Sequence, residues 1–314
     1  MGTIEKRSRR LAVISVIIPV RNGEPYIVEA IESALAQGDC VREVIVVDDG
    51  STDATIASIQ AIADPRIRLF TSRGARPSGV SGGRNFGFEQ ATQVWVMFLD
   101  ADDRLRPGAC SALLAAAGPS DAVAVYGDYE RIDAAGTTIG RRRLLGRRAK
   151  PEGDVTENLL AGNFLVNGGV ALMRAEAFRK TAGFREYLRY CEDWHAWCLL
   201  AAQGEFLYVP GLCVMDYRVH AGSTMMAKRL SFDDYRPALD AIYAEPRLTK
   251  NRAPERLRTL RQAAEAHLRA YLAAQAVRDR RYLTALQGLV QAIIASPSKA
   301  LRNTALVGSA AFGI

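Results

Sequence analysis

The stretch Ile14-Ser-Val-Ile-Ile-Pro-Val-Arg-Asn-Gly23 joins a β-branched apolar run to an abrupt polar stop. Residues 14–20 are predicted to form a buried strand, and Arg21-Asn22-Gly23 the turn that ends it. The same unit recurs twice. Residues 44–47 run into Asp48-Asp49-Gly50-Ser51-Thr52-Asp53, and residues 94–99 run into Asp100-Ala101-Asp102-Asp103. Between these units, residues 25–37 carry Ile27, Ala30, Ile31, Ala34 and Leu35 at helical spacing, with Pro25 suited to a first turn and Gly38 to a C-terminal cap. A second helix carries Ile56, Ile59 and Ile62. A third strand at 67–70 precedes a Gly/Pro-rich loop and a helix over 85–91.

Continuous apolar strands alternating with helices imply a mostly parallel sheet covered on both faces. Such sheets bind ligands in the crevice beyond the carboxyl ends of their strands. Asn22, the pair Asp48 and Asp49, and the pair Asp100 and Asp102 all fall at such ends. A turn or cap accounts for each one alone; three at one sheet edge point to a site. The second half is less regular. Strands are predicted at 122–126, at 164–173 with an interruption at Gly168-Gly169, and at 206–217 broken by Pro210-Gly211. A helix starts near Glu192, and from Asp233 onward the pattern is helical, at 254–276, 280–295 and 297–307.

Of 314 residues, 49% are hydrophobic and 24% charged, which excludes wholesale disorder and a polytopic membrane protein. The net charge is +7, and residues 251–314 hold all of it, with ten Lys and Arg against three Asp and Glu. The remaining 250 residues are neutral. A nucleic-acid-binding catalytic body is therefore disfavoured, while a basic tail could meet an anionic surface. The basic stretch 141–150 reads as a solvated hairpin or as a contact to an anionic acceptor or membrane. Five scattered cysteines without a C-x-x-C spacing indicate neither a disulfide framework nor a zinc site, and fit a cytoplasmic, reducing compartment. Lys6, Arg7, Arg9 and Arg10 before the apolar run 11–20 imitate a signal peptide, but no small-x-small cleavage site follows. No apolar stretch reaches the roughly 20 residues of a membrane span.

Asp100-x-Asp102 offers oxygen ligands at a turn, suited to Mg2+ or Mn2+ shared with phosphates. A metal there could neutralise a diphosphate leaving group. Gly79-Val-Ser-Gly-Gly83 formally matches the G-x-S-x-G nucleophile elbow, with Asp193 and His220 following in hydrolase order. The apolar strand that an elbow requires is missing before Ser81, so a serine hydrolase is a remote alternative. The glycines are better read as a loop that lets backbone approach phosphate. No G-x-G-x-x-G follows the first strand, which disfavours a dinucleotide-binding dehydrogenase.

Six blocks in order carry a family resemblance: Ser15-Val-Ile-Ile-Pro-Val-Arg-Asn-Gly23, Val46-Val-Asp-Asp-Gly-Ser-Thr-Asp53, Gly83-Arg-Asn-Phe-Gly87, Phe98-Leu-Asp-Ala-Asp-Asp103, Glu192-Asp-Trp194 and Tyr217-Arg-Val-His-Ala-Gly-Ser223. They resemble the inverting family 2 glycosyltransferases of the GT-A fold. The resemblance implies an α/β architecture, a Rossmann-like, mostly parallel sheet flanked by helices, with a C-terminal helical extension. It implies a catalytic domain over 11–225, divided into a nucleotide-binding half (11–103) and an acceptor half (104–225). A basic segment (1–10) would precede it and a helical region (226–314) follow it. The implied activity is metal-dependent transfer of a sugar from a nucleotide diphosphate-sugar, favouring UDP, to a glycan or lipid-linked acceptor in cell-surface polysaccharide synthesis.

Carried over by position, Pro19, Arg21, Asn22, Glu24, Asp48, Asp49, Arg84, Asn85, Asp100, Ala101, Arg218, His220 and Ser223 would bind the nucleotide-sugar. Asp102 and His220 would hold Mg2+ or Mn2+. Gly168, Gly169, Glu192 and Trp194 would face the acceptor. Arg21 stands where many members carry an aromatic residue, and its planar guanidinium can also stack on a base. Asp193 would be the general base; the alternative is that Glu192 or Asp193 only favours a helix N-terminus, which would keep Asp193 ionised but weakly basic. His195 and His267 read as structural. The competing function is a non-catalytic nucleotide-sugar-binding scaffold on the same fold. A homo-oligomer, or peripheral attachment of residues 251–314 to the inner face of a membrane, are the partners the tail suggests, beside donor and acceptor.

Overall fold

Eight strands form one sheet in the order β3-β2-β1-β4-β7-β6-β8-β5. They are β1 (Ile14–Val20), β2 (Val41–Asp48), β3 (Ile67–Thr71), β4 (Trp95–Phe98), β5 (Arg104–Leu105), β6 (Ala124–Ile132), β7 (Ala171–Arg174) and β8 (Phe206–Arg218). The helices are α1 (Ile27–Leu35), α2 (Thr55–Gln60), α3 (Gly79–Gln90), α4 (Ala109–Ala117), α5 (Thr156–Leu160), α6 (Ala175–Arg179), α7 (Glu192–Ala201), α8 (Phe232–Ala244), α9 (Pro246–Thr249), α10 (Pro254–Arg278), α11 (Tyr282–Ala295) and α12 (Ala300–Ala311). This computed structural model describes residues 13–71, 79–118, 120–139, 150–222 and 230–311. The basic segments 1–10 and 141–149, and Ser223, lie outside the described residues.

The first four strands are parallel, as their uninterrupted apolar runs require for a sheet buried on both faces. In register, Val20 lies opposite Asp48 and Ile17 opposite Phe98. The polar ends of β1, β2 and β4 therefore emerge at one sheet edge. β7 enters antiparallel between β4 and β6, while β8 runs parallel to β6 and antiparallel to β5.

Four local expectations change. Pro25 lies in the turn before α1 rather than in its first turn. The strand expected at 164–173 is confined to β7, preceded by a 3-10 turn at Gly168–Val170. Pro210-Gly211 does not break β8; the strand absorbs it as a register shift against β6. The helix expected over 85–91 begins at Gly79, so the glycines are not a phosphate loop. A Cβ on Gly83 would sit 3.0 Å from the Pro19 side chain, and one on Gly87, further along α3, 2.5 Å from the Ile17 side chain and 3.2 Å from that of Val47. Ser81 is buried inside α3 rather than exposed on a strand-to-helix turn, which removes the hydrolase reading.

Leu260, Ala264 and Leu268 of α10 join the main core, whereas Ala266 and Ala270 pair with Ala292 in a second small cluster. The tail is thus docked through α10, with α11 and α12 packed on it. Among the described residues, no helix is long and apolar enough to cross a membrane.

Candidate active site

At the end of β1, Asn22 takes a left-handed backbone (φ 52°), which asparagine tolerates better than most residues. Its Oδ1 accepts the Thr52 amide at 2.8 Å while its own N–H donates to Ser51 Oγ at 2.8 Å, which stitches the β1 and β2 turns together. Asp48 is buried and accepts the amides of Gly50 and Ser51, so it shapes the turn. Asp49 is the member of the pair that lines the cleft, and its carboxylate accepts the Gly79 amide at 2.6 Å. Pro19, Arg21, Glu24 and Ala101 line the same cleft, with Glu24 accepting the Ser58 hydroxyl.

The three acids after β4 have different duties. Asp103 is buried, accepting the Arg218 amide at 2.8 Å and the Asn167 side-chain amide at 2.7 Å. Asp100 accepts from Arg84 and Asn167. Asp102 instead faces His220, with Oδ2 3.0 Å from Nε2. Burial and the neighbouring Asp100 push the Asp102 carboxyl above its ordinary range, with His220 opposing them. Among the described residues the Asp102 carboxylate pairs with no guanidinium, and a carboxylate among like charges suits a hard cation such as Mn2+ or Mg2+, with the imidazole beside it. The residues present fit the metal. Among the described residues, a set of three close metal-ligating groups occurs only at Glu130, Cys213 and Asp216, where Arg104 and Arg106 already neutralise the acids.

Arg218 lines the cleft, but its side chain is buried and engaged with the carbonyls of Asp102, Asp133 and Ala134 and with the Glu29 carboxylate, so it braces the acidic turn. Tyr26 packs between this guanidinium and the His220 ring, 4.6 and 4.8 Å away.

Arg84 ties the two halves together. From α3 it donates to Asp100 at 2.6 Å and to Glu192 at 2.9 Å, while its buried Nε has no partner among the described residues. Burial opposes its charge, but the two carboxylates outweigh that and raise its pKa. Removing one partner of such a group leaves uncompensated buried charge. Arg84→Met is expected to cost about 3–5 kcal/mol of stability, read by denaturant unfolding. A loss below about 1 kcal/mol, the range of an exposed pair, would refute the structural role.

Asp193 is the second residue of α7. It lies deep among protein atoms but keeps part of its side chain open to the cleft. Burial and Glu192 push its carboxyl from 3.8 up to about 7, with Arg84 pulling the other way. The expectation of a weakly basic, helix-stabilised carboxylate is therefore overturned: desolvation outweighs the helix end. Among the described residues its Oδ1 meets only the adjacent Trp194 amide, at 2.6 Å, and caps no turn.

Several predicted residues stand elsewhere. Asn85 holds the 183–186 turn, exchanging hydrogen bonds with the Phe184 backbone and reaching Glu186, and does not line the cleft. Gly168 and Gly169 are buried beneath β4 rather than facing an acceptor; a Cβ on Gly168 would meet Phe98 at 2.7 Å. Trp194 is fully buried, its indole N–H donating to Leu159, so it backs the cleft wall. Glu192 lines the cleft, turned toward Arg84. His195 and His267 are packed in the protein, with burial pushing both down to about 4. Asn167, Glu29 and Tyr26 were missed. Only Asn167 had a local signal, the turn-forming Asn-Gly-Gly sequence.

Asp49, Asp100, Asp102, Asp193 and His220 thus line one cleft beyond the carboxyl ends of the parallel strands. The glycosyl transferase family 2 profile matches residues 15–181, and the chain belongs to that family of enzymes. It is similar to succinoglycan biosynthesis protein ExoO of Rhizobium meliloti (strain 1021), 40% identical over 126 residues, which are 40% of this chain and 31% of that protein. It is also similar to the chondroitin synthase of Escherichia coli, 28% identical over 227 residues, 71% of this chain and 31% of that protein. The matched segment thus spans about a third of either relative. Among solved structures, TarS residues 1–349 of S. aureus in complex with UDP-GlcNAc superposes with a TM-score of 0.67 at 18% identity, covering 94% of this chain and 83% of that one. A mannosyltransferase of Pyrobaculum calidifontis in complex with GDP-Man and Mn2+ gives 0.56 at 18% identity, covering 95% and 86%. These two likenesses are of fold.

Proposed function

We propose that this chain transfers a sugar with inversion from a UDP-sugar to a glycan or lipid-linked acceptor in cell-surface polysaccharide synthesis. The observation that carries this reading is that Asp193, with its raised pKa, shares one cleft of about 1930 Å³ with the Asp102–His220 pair. Asp193 takes the proton of the acceptor hydroxyl as that oxygen bonds to the anomeric carbon, while the bond from that carbon to the diphosphate oxygen breaks. Asp102 and His220 would hold Mg2+ or Mn2+, which when bound would stabilise charge on the departing diphosphate. Asp49 and Arg21 border the nucleotide, and Arg84 keeps Asp100 and Glu192 in register. Residues 11–225 would act as the catalytic domain and 226–314 as a helical appendage. The succinoglycan biosynthesis of ExoO and the UDP-GlcNAc of the TarS complex support the polysaccharide setting and the UDP donor, while the mannosyltransferase complex keeps GDP in view.

The test is hydrolysis of a UDP- and GDP-sugar panel with Mn2+. Turnover of a UDP-sugar is expected; turnover of GDP-sugars alone would overturn the uridine assignment. Binding of every donor without turnover, with acceptors supplied, would favour the scaffold.

The tail has its own reading. Leu283, Leu286, Val290 and Ile294 form an exposed stripe on α11, with Leu301 exposed on α12 and Arg280, Arg281 and Lys299 alongside. Apolar side chains flanked by cations suit an anionic leaflet. Full-length protein is expected to sediment with acidic-lipid vesicles at low salt, and Leu283→Glu/Leu286→Glu to remain in solution. Absence of wild-type sedimentation, with dimers in light scattering, would assign the stripe to self-association.

A further inference from the structure

We infer that Tyr26 is a positioning residue: its ring, carried at the start of α1, sets the His220 imidazole against the Asp102 carboxylate. This rests on the metal reading of that pair and names the side chain that orients it. Tyr26 immediately precedes α1, and its carbonyl accepts the Ala30 amide at 3.1 Å, so its backbone already belongs to the first turn of the helix. Gly23 accepts the Tyr26 amide at 2.8 Å and donates its own to Thr55 Oγ1 at 2.8 Å, which ties this turn to the start of α2.

Glu29 stands three residues further on, over the same face of the helix. Its carboxylate pairs with Arg104 at 2.5 Å and with Arg218. Arg218 donates in turn to the Asp102 carbonyl at 2.8 Å. The Tyr26 ring centroid lies 4.6 Å from the guanidinium carbon of Arg218 and 4.8 Å from the centroid of the His220 ring, which is tilted by 55° to it. One helix end therefore reaches both members of the metal pair. It meets the Asp102 backbone through Glu29 and Arg218, and the His220 side chain through Tyr26.

His220 lies beyond the regular part of its strand. β8 ends at Arg218, and the Val219 amide still donates to Ile132 at 2.9 Å. The contact between Nε2 and Asp102 Oδ2, at 3.0 Å, fixes one atom of the imidazole and leaves rotation of the ring about it. An aromatic ring packed against the imidazole restricts that rotation. Tyr26 is itself held, because the guanidinium it meets belongs to a side chain only 2% exposed and already tied to three carbonyls and a carboxylate. Groups that orient a metal ligand in this way cost about 10–100-fold in metal affinity when removed. If Tyr26 only filled space, any apolar side chain of similar size would serve as well.

The experiment labels the histidine rings, of which the chain has three, and uses His220→Ala to assign the His220 signal by NMR in metal-free protein. Wild type is expected to show a nuclear Overhauser contact from the His220 ring to a tyrosine ring, which Tyr26→Phe replaces by a contact to phenylalanine. Tyr26→Leu should move the His220 signal toward that of free histidine. Absence of the wild-type contact, or an unmoved signal in Tyr26→Leu, would overturn the inference. Mn2+ binding is read by electron paramagnetic resonance without donor. It is expected to weaken about tenfold or more in Tyr26→Leu and to regain wild-type strength in Tyr26→Phe. In the His220→Ala background Tyr26→Leu should add nothing further, since a residue acting through the imidazole then has nothing to place. An equal loss in both backgrounds, or binding by Tyr26→Phe as weak as by Tyr26→Leu, would also overturn the inference. Wild-type protein that binds no Mn2+ would count against the metal in the proposed function, and the His220 signal would still decide whether Tyr26 places the ring.

Discussion

Asp193→Asn is expected to lower turnover by about 10²–10⁴-fold while donor affinity stays within a factor of two or three of wild type. The amide keeps the shape of the side chain and cannot take the proton. The pH dependence follows from the carboxyl being pushed up to about 7. In wild type, kcat/KM should rise with pH through about 7 as the base ionises, and the variant should lack that limb. Stability should run the other way. Between 3.8 and about 7 the native state holds a proton that the unfolded chain has released, so ionising Asp193 destabilises the fold as pH rises. At pH 8 the Asn variant should therefore melt no lower than wild type. A collapse of donor affinity with turnover preserved at saturation would make Asp193 a binding residue.

On the proposed function, Asp102→Ala is expected to reduce transfer by about a thousandfold or more, because a metal held there would supply several kcal/mol of stabilisation to a departing diphosphate. The fold should persist. Among the described residues the Asp102 carboxylate bonds to no core group, and its side chain is one-third exposed. Burial and Asp100 already disfavour its charge, so losing it costs the native state little. The checks are transfer assayed with Mn2+ and after chelation, and a circular dichroism melt. Wild-type activity that ignores chelation, or an active Asp102→Ala protein, would defeat the metal assignment. An inactive variant that is also unfolded would return Asp102 to a structural role. His220→Ala should weaken donor binding less, since Asp102 remains.

The sequence by itself determined the polar edge of the sheet. Runs of β-branched residues ending in Asn22, Asp49 and Asp100 can be buried on both faces only as parallel strands, and parallel strands deliver their polar ends to one side. That inference needs only local pattern and chain direction. The glycines of α3 escaped it, because glycine marks a loop and a close helix–sheet contact with the same letter, and only the nearness of Ile17 and Val47 distinguishes them. The tertiary structure alone decided what lies across from what. Asp102 meets His220, 118 residues away, because β5 pairs antiparallel with β8, with Arg104 opposite Asp216, and that register carries 102–103 against 218–220. Arg84 bridging Asp100 and Glu192 and Arg218 bracing the acidic turn are likewise products of long-range packing. The basicity of Asp193 belongs with them, since it depends on how much water the folded protein removes from the carboxylate.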